Sequence, residues 1–311
     1  MSEVLNDELS GIFKSSLSLL GKHPLTQRHA FLEIKLVDKQ LSDLDGIRKF
    51  PLLVYVNASK NNISDLEPLS SLLCLSQLNL SENKITSCLQ YQPQLCNSQK
   101  YWASGNRAIG SMLTLANLSF NLIEEIADLS HHPFLECLLL NNNKIKKISG
   151  LQNLKHLKVL DLSGNQISII EGLDNLPIEE LNLSKNKIEK VDGLANLPNL
   201  SVLNVSNNLI SSLGPLVSCT NLNSLNAGYN SLQHIRQAEF LCELRWLKRL
   251  VLYGNPASKK HLYRFRVIFR LPLLNHLDDL DVAAEEKVIY ACIDCIYFIL
   301  YYSCVLSTYV W

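Results

Sequence analysis

Apolar positions along the 311-residue chain return in one template. It reads Leu135-x-x-Leu138-x-Leu140-x-x-Asn143-x-Ile145, and it recurs from Leu157, Ile178, Leu200 and Leu222. Upstream it starts at Leu53, Leu75 and Leu113. A degenerate copy begins at Phe31 with Lys39 in the Asn place, and a last copy runs from Leu247 to Asn255. The polar turn positions are therefore Lys39, Asn61, Asn83, Asn121, Asn143, Asn165, Asn186, Asn208, Asn230 and Asn255, mostly 22 residues apart. Ten such matches exceed chance and predict a repeat architecture. The x-x-Leu-x-Leu segment is a short strand with alternate side chains inward. One coil cannot bury its apolar face alone, so stacked coils share a core. The Asn falls where the chain leaves the strand. There its amide would satisfy turn backbone groups that stacking buries, which is a structural role and not a ligand role.

The second half of each coil is equally regular: Ile145, Ile148, Gly150, Leu151 and Leu154 return as Ile167, Ile170, Gly172, Leu173 and Leu176. Pro68 and Pro215 replace Gly in two copies, as suits a tight turn. So short a return leaves room for 3₁₀ or single-turn pieces on the convex side. The expected fold is an α/β solenoid of about ten coils with a parallel concave sheet, an arc on the order of 45 Å long.

Breaks in the rhythm divide the chain. Residues 1–30 form an N-terminal cap, with Leu9, Ile12, Phe13, Leu17 and Leu20 spaced for a short helix. Residues 31–256 hold the repeats. The 38-residue step from Asn83 to Asn121 carries an insert near 95–110. That insert is either a plain surface loop, an alternative-exon product included, or a binding loop using Tyr101, Trp102 and Arg107. The step from Asn230 to Asn255 is 25 residues, with its excess near Ala238-Glu239-Phe240-Leu241. Residues 257–287 form a C-terminal cap, a helix followed by a short strand. The tail from Val288 to Trp311 is apolar, with Asp294 as its one charge. It reads as a membrane anchor, as a buried element or as an unrelated exon end.

Composition adds less. Lys+Arg and Asp+Glu are both 29, so nothing calls for nucleic acid, and membrane contact is confined to Val288–Trp311. The first residues lack a secretory h-region. The nine cysteines show no disulfide rhythm, so the chain reads as cytoplasmic and reduced. No catalytic constellation or cofactor motif emerges. Gly21-Lys22 is no phosphate loop, since Ser16 stands where the earlier Gly belongs and His23 follows the Lys. Cys292-x-x-Cys295 is a single pair, short of the four ligands a structural metal site needs. Asp128 with His131 and His132 reads as solvated turn. The sequons Asn79-Leu-Ser81, Asn117-Leu-Ser119 and Asn204-Val-Ser206 fall out of the repeat.

The functional candidate is the concave surface. A central lane holds Asn57, Asn79, Asn117, Leu139, Asp161, Asn182, Asn204, Asn226 and Val251. A flanking lane holds Tyr55, Gln77, Leu115, Cys137, Val159, Glu180, Val202, Ser224 and Arg249. Further along stand Lys60, Glu82, Phe120, Asn142, Lys185, Asn207, Tyr229 and Tyr253. Such a surface, rich in donors and acceptors with aromatics toward its ends, suits a helix or extended segment of another protein. The alternative is that each lane Asn is a merely soluble strand residue.

The 22-residue unit resembles the leucine-rich-repeat subclass of protein phosphatase 1 regulatory repeat proteins and axonemal dynein light chain, and the cap from Tyr263-Arg264 to Leu277-Asp278 looks like theirs. Within it, the chain is similar over about residues 28–288 to the family of leucine-rich repeat and guanylate kinase domain-containing proteins. The features that carry this are the 21-residue step at Asn175-Leu176-Pro177-Ile178, the 25-residue step before Asn255-Pro256, Phe265-Arg266-Val267-Ile268-Phe269 and Glu285-Glu286-Lys287-Val288. Ser18 to Leu69 is also similar to a radial-spoke repeat protein. The resemblance implies sperm-tail, manchette and ciliary assembly through cytoskeletal or ciliary adaptor proteins. The kinase part and its phosphate loop do not appear in the 311 residues, so nucleotide kinase activity is not carried over. A truncated form of a guanylate-kinase-like protein and a tail-anchored repeat protein stand as the alternative expectations.

Overall fold

The computed structural model describes residues 11–22, 27–93 and 112–288. The insert near 95–110, with Tyr101, Trp102 and Arg107, and the tail after Val288, with Cys292 and Cys295, lie outside the described residues.

The described strands form one sheet in chain order. The ten expected strands are all present: β2 (His29–Lys35), β3 (Tyr55–Asn57), β4 (Gln77–Asn79), β5 (Leu115–Asn117), β6 (Cys137–Leu139), β7 (Val159–Asp161), β8 (Glu180–Asn182), β9 (Val202–Asn204), β10 (Ser224–Asn226) and β11 (Arg249–Val251). All ten pair in parallel with one another in sequence, and β12 (His276–Leu277) continues the set. The convex side carries 3₁₀ turns at Asp45–Lys49, Glu67–Ser71, Gly214–Ser218, Ile235–Leu241 and Pro256–Lys259. Template Leu and Ile side chains fill one core running the length of the stack.

Each turn Asn ties two coils together. Asn165 Oδ1 accepts the Ile145 N–H of the preceding coil at 3.0 Å, while its Nδ2 donates to Leu140 O (3.0 Å) across the coil boundary and to Leu162 O (2.9 Å) in its own coil. Asn61, Asn83, Asn121, Asn143, Asn186, Asn208, Asn230 and Asn255 repeat this pattern, each accepting a backbone N–H of the coil before. Lys39, in the degenerate place, has no amide to offer, and its own backbone N–H is taken by Asn61 Oδ1 at 3.0 Å.

The N-terminal cap departs from the expected helix. Residues 11–15 are helical, but the helix stops there, and β1 (Leu17–Lys22) pairs antiparallel with β2. Phe13 plugs the core, at 2% exposure, while Leu19 and Leu20 are open at 53% and 65%. The periodic spacing is a local signal, and the unpaired edge of β2 outweighs it by offering a row of backbone partners. At the other end, α1 (Tyr263–Arg270) covers the core through Val267 and Ile268, and β13 (Leu280–Asp281) folds antiparallel onto β12. A hairpin therefore closes the parallel sheet at both ends.

Candidate functional site

The concave surface is built by three-residue strands. The middle residue of each is buried, as with Leu138, Leu160, Leu181, Leu203 and Leu225, and its two neighbours point outward. The pairing register keeps those neighbours in rows. Tyr55 pairs with Gln77, and the row runs on through Leu115, Cys137, Val159, Glu180, Val202, Ser224 and Arg249. Asn57, Asn79, Asn117, Leu139, Asp161, Asn182, Asn204, Asn226 and Val251 make the parallel row.

The central row also builds turns. Asn79 Oδ1 accepts the Ser81 N–H at 3.1 Å, Asn117 that of Ser119 at 3.0 Å and Asp161 that of Ser163 at 2.8 Å. Asn57, Asn182, Asn204 and Asn226 do the same toward residue i+2. This Asx turn bends the chain out of the strand. It accounts for the Asn-x-Ser spelling of the repeat, because a small residue two positions on fits the turn, and Ser119, Ser184 and Ser206 are buried. One oxygen of each amide is thus engaged in the fold, and the Nδ2 groups are what the row offers outward. Asn182 Nδ2 donates to Asp161 Oδ2 at 3.3 Å. The Asn-x-Ser spacing is the signal for this turn role, and in the sequence it has the same spelling as a glycosylation motif.

The third row sits at the left-handed residue just before each ladder Asn. Lys60, Glu82, Phe120, Asn142, Lys185, Asn207 and Tyr229 all have φ between 51° and 59°. Gly164 and Gly254 hold the same place at φ 66° and 76°. Tyr253 does not belong to this row: it stands one residue earlier, since Gly254 takes the left-handed place before Asn255. Register counted from the ladder places Tyr253 level with Gly228, and its ring meets Tyr229 edge-on, centroids 5.1 Å apart at 88°. A Cβ on Gly254 would stand 2.4 Å from Tyr229 Cδ1, so that glycine is also the space the Tyr229 ring occupies. Phe120 is 54% exposed, Tyr229 53% and Tyr253 36%.

Charge is uneven along the arc. Asp161 and Glu180 stand on adjacent strands at its middle, not far from Cys137 on β6. Burial first, then the Glu180 and Asp161 charges, push the Cys137 thiol up, so it stays protonated and unreactive. Arg249 stands on β11, the strand that leads to Tyr253. Among the described residues, no three His, Cys, Asp or Glu side chains group as a metal site, and no helix is long and apolar enough to cross a membrane. Asp128 and His131–His132 do not converge. Asp128 accepts from the Ser130 N–H and Oγ, while His132 is not solvated but 1% exposed, its ring 5.0 Å from that of Tyr91.

A family model for the leucine-rich repeat matches residues 151–289. The chain is 36% identical over 78 residues to Cilia- and flagella-associated protein 410 of Mus musculus, a match covering 24% of this chain and 31% of that protein. The chain thus spans about a third of the length of that curated relative. Among solved structures, the TLR13–ssRNA13 complex superposes with a TM-score of 0.61 at 24% identity, covering 79% of this chain and 35% of that one. The leucine-rich repeat domain of APL1B gives 0.58 at 19% identity, covering 89% and 72%. At such identities the likeness is one of architecture, and it agrees with the register, the asparagine ladder and the 3₁₀ returns: the chain folds as a leucine-rich-repeat solenoid.

Proposed function

We propose that this chain is a non-catalytic scaffold that binds a helix or extended segment of another protein on its concave sheet, in a ciliary or microtubule-associated assembly. The observation that carries the reading is the choice of side chain at the left-handed turn. That backbone conformation favours Gly and Asn and costs about 1 kcal/mol or more for a bulky residue. Phe120 and Tyr229 nevertheless occupy it, each more than half exposed. The solenoid gains no core packing from them, so a partner that covers exposed aromatics explains them better than the fold does. Between them lie the Asp161–Glu180 pair and the outward amide of Asn204. The partner segment is accordingly one with apolar anchors and a central basic residue. Support for the compartment is the match to a cilia- and flagella-associated protein.

The test is affinity capture from ciliated-cell extract with the full chain as bait. Tyr229→Ala and a double reversal, Asp161→Lys with Glu180→Lys, should each deplete the same captured proteins by about tenfold, the order of a hot-spot loss. Glu189→Lys with Lys190→Glu, on the return side, should leave capture unchanged. Equal capture by all three variants would refute concave binding.

A further inference from the structure

We propose that the junction between the last coil and the C-terminal cap is a second, independent binding site, one for a compact polyanion bearing several phosphate groups. The three additional residues of the step before Asn255 lengthen the convex return into the seven-residue 3₁₀ turn Ile235–Leu241, against which α1 packs. The two elements border an open recess of about 730 Å³. This lies within the roughly 300–1,000 Å³ typical of small-ligand sites. Its walls carry Arg236 from the turn, Lys260 from the segment before the helix, and Arg266 and Arg270 from α1, against one carboxylate, Glu239. Glu239 is already engaged with Arg270, Nε to Oε1 at 2.7 Å. Among the described residues, Arg236, Lys260 and Arg266 have no anionic partner within salt-bridge distance. Three unmatched cations around one concavity repel each other, and the fold draws no ion pair from them.

Chemistry narrows the ligand. Guanidinium forks match phosphate oxygens two by two, and three of the four cations are arginines. The positive charge is gathered around one recess rather than laid along a groove. An extended acidic peptide spreads its charge over about 3.3 Å per residue, whereas phosphates clustered on one small ring present theirs together. Phe240 lines the same wall and is 45% exposed, giving that ring an apolar face to lie on. The shared chemistry is that of an inositol polyphosphate, free or as a lipid headgroup. The neutral overall charge of the chain hides this patch, because Arg236 precedes Lys260 by 24 residues and Arg266 by 30.

The experiment is calorimetric titration of the full chain with inositol hexakisphosphate at near-physiological ionic strength, beside flotation with phosphatidylcholine vesicles containing phosphatidylinositol bisphosphate. Saturable binding to either probe, weakened about tenfold or more by Arg266→Gln and by Arg236→Gln, supports the site. Lys144→Gln with Lys146→Gln, exposed on an interior coil, should change nothing. Vesicle binding without free-ligand binding assigns the headgroup to a membrane, and the reverse assigns it to solution. The proposal is overturned by no saturable binding to either probe, by arginine variants that bind as the parent does, or by a poly-glutamate peptide that binds as tightly as the phosphates. Circular dichroism of each variant guards against misfolding. None of these substitutions touches the concave face, so this result and the concave one can fail separately.

Discussion

At the scale of single residues, two sets of asparagines look alike in the sequence and do different things. The ladder residues, all buried except the half-buried Asn186, serve two coils at once, whereas the lane residues are half-exposed and serve one turn. Asn165→Ala strands the Ile145 N–H inside the stack, while the Leu140 carbonyl keeps only its bond from Asn143 Nδ2. A buried group left unpaired costs about 1–3 kcal/mol, so the substitution should lower unfolding free energy by about 2 kcal/mol in urea titration. Asn165→Asp keeps the shape but turns a carboxylate oxygen toward three carbonyls, and it should be no better than Ala. Asn182→Ala loses only the Ser184 turn bond and the 3.3 Å contact to Asp161, and should cost about 1 kcal/mol or less. If Asn182→Ala proves as damaging as Asn165→Ala, the division of labour drawn between ladder and lane is wrong.

At the scale of elements, the ends of the stack need residues the repeat does not supply. The C-terminal cap is organised by Arg264, whose Nε and Nη2 bind the two Glu286 oxygens at 2.8 and 2.9 Å while Nη2 and Nη1 also reach Asp281 O (2.8 Å) and Leu277 O (3.2 Å). Asp278 seals the next layer, accepting the Leu252 and Tyr253 N–H groups on Oδ1 and the Tyr263 hydroxyl on Oδ2. Arg264→Ala removes all four of these bonds at once. Charge-assisted bonds of this kind are worth about 1.5–3 kcal/mol, and the expected result is a loss of about 2 kcal/mol with hydrogen exchange accelerating first across residues 263–281. Uniform acceleration through all coils would contradict a local capping role. The same contrast between repeat and end explains what could be read in advance. The ten interior strands were legible because each is specified by its own coil of about 22 residues. β1 was not, because Leu9, Ile12, Phe13, Leu17 and Leu20 favour a helix locally and only pairing with β2 makes residues 17–22 a strand. The concave rows were legible to the residue except for Tyr253, whose place depends on Gly254 taking the left-handed turn. The basic recess was not, since its two walls meet only in the folded chain.

At the scale of the whole molecule, stability is close to a sum of coil and interface contributions, so the stack divides where an interface weakens. The coil that carries the insertion is the natural place, and the one strongly perturbed histidine among the described residues packs against it from the next coil. His132 packs beneath Leu89 and Tyr91, its Nε2 3.3 Å from the Leu89 carbonyl and its Nδ1 without a partner among the described residues. Burial, opposed in part by the Leu89 carbonyl, holds its pKa down to about 4. The unfolded chain binds this proton near pH 6.5, and the folded chain refuses it until about pH 4. Between those values the unfolded state carries more protons, so folding stability falls as the pH falls. His132 contributes no pH dependence above about pH 6.5. Across the full window the loss is on the order of 3 kcal/mol, since each tenfold difference in proton affinity between the two states is worth about 1.4 kcal/mol. Urea titrations at about pH 7 and about pH 4.5 should therefore differ by about 2–3 kcal/mol more in the parent than in His132→Phe, which keeps a ring against Tyr91 and has nothing to protonate. Hydrogen exchange at the lower pH, corrected for its intrinsic rate, should show the loss first at the β4–β5 and β5–β6 pairings, on either side of the coil that holds His132. Equal pH dependence in parent and variant would remove His132 as the cause. Loss starting instead at α1 would mean that the cap, and not the interrupted coil, is the weakest joint of the arc.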